Sequence, residues 1–157
     1  MSIKRQLFLA IIFISTFALI GSVFSSIYNS RLYLIQQLQL KNQDNANAMA
    51  LSLSQAKNDL VKIKLAVSAQ FDTGNYERIR FVDSKGEVVV EEESSQDIKA
   101  VPAWFVSAIA LDVPTGQAKV TAGWNQLGTI FLVSQKQYAY EALWKSTIEA
   151  VWVSFLS

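Results

Sequence analysis

Hydrophobic residues recur along this chain in three rhythms. From Leu7 to Phe24 no charge interrupts a run of Leu, Ile, Phe, Ala and small polar side chains. With Ser25 to Tyr28 the run reaches the roughly 20 residues that a helix needs to cross a bilayer. Lys4 and Arg5 stand just before it, so the positive-inside rule keeps the N-terminus cytoplasmic and sends the following residues outside. The alternative is a cleaved signal peptide, with Val23-Phe24-Ser25 as a weak processing site. The run is longer than the ~7–15 apolar residues of such a leader, which predicts an uncleaved anchor with Tyr28 at the interface. From Asn29 to about Leu53 the rhythm becomes helical. Leu34, Leu38, Asn45, Met49 and Leu53 form a stripe, widened by Ile35, Ala46 and Ala48. The stripe is expected to pack on its own domain. A dimer seam is the alternative, but the repeat is short and interrupted for a coiled coil. Asp59 to Phe71 reads as a second helix through Leu60, Ile63, Leu65, Val67 and Phe71, with Gly74 placed to end it or shape the following turn.

The third rhythm is alternation. Tyr76 to Val82 sets Tyr76, Arg78, Arg80 and Val82 against Glu77, Ile79 and Phe81. Asp83-Ser84-Lys85-Gly86 has turn chemistry, and Glu87 to Glu91 returns through Val88, Val89 and Val90 as the second strand of a hairpin. Val101-Pro102-Ala103-Trp104-Phe105-Val106 opens a short helix, with proline where a helix tolerates it. Trp104, Phe105 and Ile109 are expected to cap the sheet. Pro114-Thr115-Gly116 turns the chain into a second hairpin. There Ala118, Val120 and Ala122 alternate with Gln117, Lys119 and Thr121. The return strand, Gly128 to Ser134, is so apolar that both its faces are expected to be covered. Between the strands lies Gly123-Trp124-Asn125-Gln126, where Gly123 and Asn125 tolerate positive φ. Trp124 then stands at or near the tip. Either the indole folds back as a cap on its own sheet, or it points outward as an anchor for a partner's pocket.

The last segment, Ala139 to Ser157, begins with helical spacing and turns apolar through Ile148, Val151, Trp152, Val153, Phe155 and Leu156. It is expected to be the start of a second, truncated membrane helix, in the front part of a larger protein. A helix packed on the domain is the alternative. The pattern divides the chain into an N-terminus and membrane helix at 1–28, a domain outside the cytoplasm at 29–143, and the start of a second span at 144–157. The fold class is α+β: a PAS-like domain, an antiparallel sheet with flanking helices, between two transmembrane helices.

Composition narrows the chemistry. The chain is 51% hydrophobic, and the excess lies at its two ends. A net charge of +1 supplies no basic field for nucleic acid. Without Cys or His there is no thiol nucleophile, no His-dependent triad and no Cys or His zinc site. Glu91-Glu92-Glu93 offers carboxylates to a hard cation, but binding one needs convergent ligands; a solvated strand end that resists edge pairing is expected instead. No catalytic group, metal or cofactor is assigned. Arg78 and Arg80 are the candidates should the domain be a ligand sensor of a histidine kinase or chemoreceptor.

In their order, these pieces resemble the N-terminal part of LapD-type receptors, inner-membrane proteins that sense cyclic di-GMP and control biofilm adhesins. The pieces are the Leu-rich first span after Ser2, Asn29-Ser30-Arg31 with the Gln-rich helix through Gln43-Asp44, and Leu51-Ser52-Leu53. They continue with Phe71-Asp72-Thr73-Gly74-Asn75-Tyr76, Ile79-Arg80-Phe81-Val82-Asp83, the Val101 to Val106 box, Gly123-Trp124-Asn125-Gln126 and Leu143-Trp144. The resemblance covers nearly the whole chain. It implies a periplasmic output domain, a homodimer with helix exchange as one route, and a periplasmic, calcium-dependent cysteine protease of the LapG type as partner. Trp124 matches the tryptophan that enters the protease, and Gly123, Asn125 and Gln126 match the loop around it. The family's relay and its degenerate cyclic di-GMP domains would follow the second span, so cyclic di-GMP is expected to act only through cytoplasmic domains absent from these residues.

Overall fold

The computed structural model describes residues 2–94 and 98–156. Met1 and Ser157, the outermost residues of the two expected membrane segments, lie outside the described residues. The first helix, α1 (Ile3–Ser54), runs unbroken for 52 residues, about 78 Å at the standard rise. Its first half is apolar and exposed, and it is long and apolar enough to cross a membrane. No Gly or Pro separates this span from the second half, so the helix enters the domain without a break. Nothing in the backbone marks residue 28 as a boundary.

The second half of α1 packs on a four-stranded antiparallel sheet of β1 (Tyr76–Asp83), β2 (Val88–Glu93), β3 (Gly116–Ala122) and β4 (Asn125–Ser134). The strand order is β2-β1-β4-β3, so two consecutive hairpins lie side by side with β1 and β4 paired in the centre. Ile79, Phe81, Val120, Ile130 and Leu132 face inward, against Ala46, Met49 and Leu53 of α1 and Ile63 and Val67 of α2 (Leu60–Phe71). The expected α+β, PAS-like arrangement of sheet and flanking helices is present. The α1 stripe packs on its own sheet as expected, but it is rotated from the one read off the spacing. Ala48 is exposed, and Asn42 is buried in its place. Asn42 donates from Nδ2 to the Pro114 carbonyl at 3.1 Å and accepts at Oδ1 from the Ser134 amide at 2.8 Å. A buried amide is tolerated because both its ends are paired. Gly116 lets β3 pass against the helix there: a Cβ would collide with the Asn42 carbonyl.

Asp59 caps α2 by accepting from the amides of Val61 and Lys62 at 3.1 and 3.5 Å, and Gly74 closes it at φ +79°. Only Ile63 and Val67 of its apolar set are buried; Leu60 and Leu65 are exposed. The helix is short and only its sheet-facing side is covered. On β4, alternation overrides apolarity. Leu127, Ile130 and Leu132 are buried, while Thr129, Phe131 and Val133 on the outer face are half-buried, since no helix among the described residues covers that side. The expectation of two covered faces is corrected.

A second, smaller core lies along α1 toward the membrane. Val101, Phe105 of α3 (Ala103–Ile109), Leu111 and Val113 pack with Ala139, Tyr140 and Leu143 of α4 (Gln137–Leu156) and with Leu34, Ile35 and Leu38. Thus Trp104, Phe105 and Ile109 do not cap the sheet. Phe105 and Ile109 join this helical layer, and Trp104 projects from it at 65% exposure. The first two turns of α4 are packed. From Ile148 onward, Val151, Trp152, Val153, Phe155 and Leu156 are exposed. By length and composition, α1 is the candidate span among the described residues.

Candidate docking site at the hairpin tip

The β3–β4 hairpin closes through a two-residue turn, Gly123-Trp124, between the paired residues Ala122 and Asn125. Gly123 has φ +63°, the positive value that a tight hairpin connection asks of its first residue. Asn125 does not take positive φ; it is already the first residue of β4. A register shift between Val120 and Thr121 lets Thr121 face Gln126. Such a bulge strengthens the local twist. The inner side of the hairpin is held by buried Leu127 and half-buried Ala122. Gly123, Trp124, Asn125 and Gln126 are all exposed, and Trp124 reaches 104%. The indole therefore does not fold back onto its sheet, which removes the capping interpretation of this residue.

Two further turns stand beside the tip. Ser54, Lys57, Asn58 and Leu60 from the α1–α2 turn and Asp83, Ser84 and Lys85 from the β1–β2 turn line an open concavity of about 880 Å³ with the hairpin residues. Lys57 and Asn58 hold φ of +49° and +65°, the left-handed region that costs a lysine roughly 1–2 kcal/mol. The strain is maintained where α1 must reverse into α2. These flanking residues were missed in the sequence because they come from segments about 40 and 65 residues apart from the hairpin. Two adjacent left-handed positions without glycine leave no signal in composition. The platform presents a flat apolar wedge, two amide side chains beside it, and the cations Lys57 and Lys85 with Asp83 at the rim. That arrangement suits burial of one aromatic anchor in a partner's pocket, with a polar border. Ser54 lies about 45 Å along α1 from Phe24, so the platform is far from the bilayer.

The arginines needed for ligand sensing lie elsewhere. The space between sheet and helices is filled by Ile79, Phe81, Ile130 and Leu132, and Arg78 and Arg80 are on the opposite face. Arg78 Nη2 is 2.8 Å from Glu93 Oε1, and this hydrogen bond, followed by the charges of Glu93, raises its pKa further above a value already beyond the physiological range. Arg80 lies over the Phe131 ring at 5.6 Å. The acidic run is the end of edge strand β2, with Glu91 and Glu93 beside Arg78 and Glu92 accepting from Ser68 at 3.1 Å.

These features define a membrane-anchored α+β domain whose most exposed large apolar side chain, Trp124, stands on a loop far from its anchor. A family model described as the LapD/MoxY periplasmic domain matches residues 23–144. The chain belongs to that family and is a LapD-type periplasmic output domain of a signalling receptor, held at the inner membrane with its main domain in the periplasm. A solved structure of the LapD periplasmic domain from Pseudomonas fluorescence is 38% identical over 78% of this chain and 98% of that one, with a TM-score of 0.45. No curated protein matches the chain.

Proposed function

We propose that this domain captures a periplasmic cysteine protease of the LapG type through Trp124, and that cytoplasmic cyclic di-GMP controls the capture. Trp124 enters a pocket on the protease. Gly123 makes the turn that presents it, and Asn125 and Gln126 bond to the pocket's rim. The captured protease is kept from its adhesin substrate, which retains the adhesin at the cell surface and favours biofilm formation. The working unit is a homodimer. Residues 1–28 hold the first span, 29–143 form the periplasmic domain, and 144–157 enter the membrane as a second helix. Cyclic di-GMP acts from the cytoplasmic side, and the two membrane helices pass its effect on as a change in the spacing of two output domains.

The observation that carries this reading is the fully exposed indole on a two-residue turn. An indole has only two side-chain torsions, so it buries a large area at low cost in conformational freedom. Family membership supports the choice of partner. The test is binding of a purified LapG-type protease to the full chain in nanodiscs, wild type beside Trp124→Glu. Capture by wild type and its loss in a folded mutant support the reading; equal capture by both would remove Trp124 from it.

A further inference from the structure

The geometry points to a second contact surface at the opposite end of the domain: α3 rests on the bilayer, with Trp104 in the lipid headgroup layer of the periplasmic leaflet. Four observations place it there. Arg31 is the first charged residue after the apolar run, and it donates from Nε and Nη2 to the carbonyls of Ile109 (3.1 Å) and Ala110 (2.9 Å). The C-terminal end of α3 is thereby fastened to α1 only seven residues past Phe24 and three past Tyr28, roughly 10 and 5 Å along the helix. The headgroup layer of a bilayer is about 5–8 Å thick on each side of the hydrocarbon.

The partner helix gives the same height. Ala142, Leu143 and Ser146 share a hollow with Asn29, Ser30, Tyr33 and Leu34, so Trp144 is level with the first turns beyond the span. Trp104 meets Trp144 edge-on at 5.7 Å and Phe105 at 5.8 Å, and Phe105 is buried. Trp104 is therefore held in place while its own ring remains 65% exposed. It is not a solitary apolar side chain. Tyr28 and Tyr33 are exposed at nearby heights, and the exposed apolar end of α4 begins one turn beyond Trp144. Tyrosine and tryptophan gather at this depth because the ring prefers the apolar side and the polar edge prefers water. Continuity with the membrane-spanning part of α1 identifies lipid, rather than a protein, as what covers Trp104. In this position α3 sets the height and tilt of the domain above the bilayer.

The test uses the full chain in vesicles of phosphatidylethanolamine and phosphatidylglycerol. Trp124, Trp144 and Trp152 are replaced by Phe, which leaves Trp104 as the sole tryptophan, and a companion variant keeps Trp124 instead. A headgroup-attached nitroxide is expected to quench Trp104 by at least half while aqueous iodide has little effect, with the reverse for Trp124. Quenching of Trp104 by iodide as strongly as Trp124 would overturn the proposal. So would shielding from both quenchers, which would mean that a second copy or another protein covers the ring. Because the chain has no Cys, Trp104→Cys in the otherwise native chain accepts a single spin label. Its accessibility to oxygen relative to a water-soluble nickel chelate, set beside that of Trp124→Cys, decides the matter if the multiple variant does not fold: the ratio is expected to be several-fold higher at position 104, and equal ratios would reject the contact.

Discussion

The two hairpins end side by side at the same edge of the sheet, yet their tips are built on opposite principles. In the β1–β2 turn, Asp83 Oδ1 accepts from the amides of Lys85 and Glu87, both at 2.9 Å, and Gly86 takes φ +87°. Its polar groups are satisfied locally, and its side chains are at home in water. The β3–β4 turn is two residues long and places a tryptophan side chain fully in solvent. Nothing in the folding of the sheet requires an indole there. The first tip is constructed for stability, whereas the second leaves apolar area uncovered that only a partner could bury. The contrast separates a residue that the fold needs from one that the fold merely carries.

Substitutions can break that contrast. Trp124→Glu has the largest expected effect: a loss of about 2–4 kcal/mol of protease binding, roughly 30- to 1000-fold in Kd, read by titration. Its thermal midpoint should stay within a degree of wild type, and a large fall would show that the fold needs the indole after all. Gly123→Val comes next. A β-branched residue at φ +63° is strained, so a loss of about 1–3 kcal/mol in urea unfolding is expected, with weaker capture because the anchor is misdirected. Asp83→Ala removes two hydrogen bonds from the other tip. It should lower stability by about 1 kcal/mol, near 4 °C in Tm, while capture changes less than threefold. A strong loss of capture in that variant would mean that the two tips bind as one surface. The smallest effect belongs to Lys57→Gly, which relieves a left-handed lysine and should raise stability by about 0.5 kcal/mol with capture within twofold.

The two cores show where the sequence was legible. Around the sheet, period-2 alternation put Ile79 and Phe81 on one face and Val120 among the apolar positions of its strand, and the helical stripe included Met49 and Leu53; all five are buried. Both hairpins, the Asp59 start of α2 and the Gly74 stop are local features with local signals. The second core was not legible in this way. Its residues come from the α1 midsection, the loop segments around α3 and the start of α4, and no single periodicity links them. The sequence read Trp104 and Phe105 together as packing on the sheet, whereas only Phe105 is buried, and in the other core. Asn42 escaped notice because a polar residue counts against an apolar stripe, and its justification lies in Pro114 and Ser134, more than 70 residues away.

At the candidate site, the sequence by itself determined the turn. Gly123 can take positive φ at little cost, the alternation on either side sets the strand pairing, and together they put Trp124 at a tip. It also determined the apolar run that anchors the chain, since crossing a bilayer is a matter of length and charge alone. Only the tertiary structure decided which way the indole points, which turns stand beside it, and that α3 lies at the membrane end rather than over the sheet. Those outcomes depend on surfaces brought together from distant parts of the chain. A side chain stays exposed when no such surface reaches it, and that depends on the whole fold, beyond what its sequence neighbours specify.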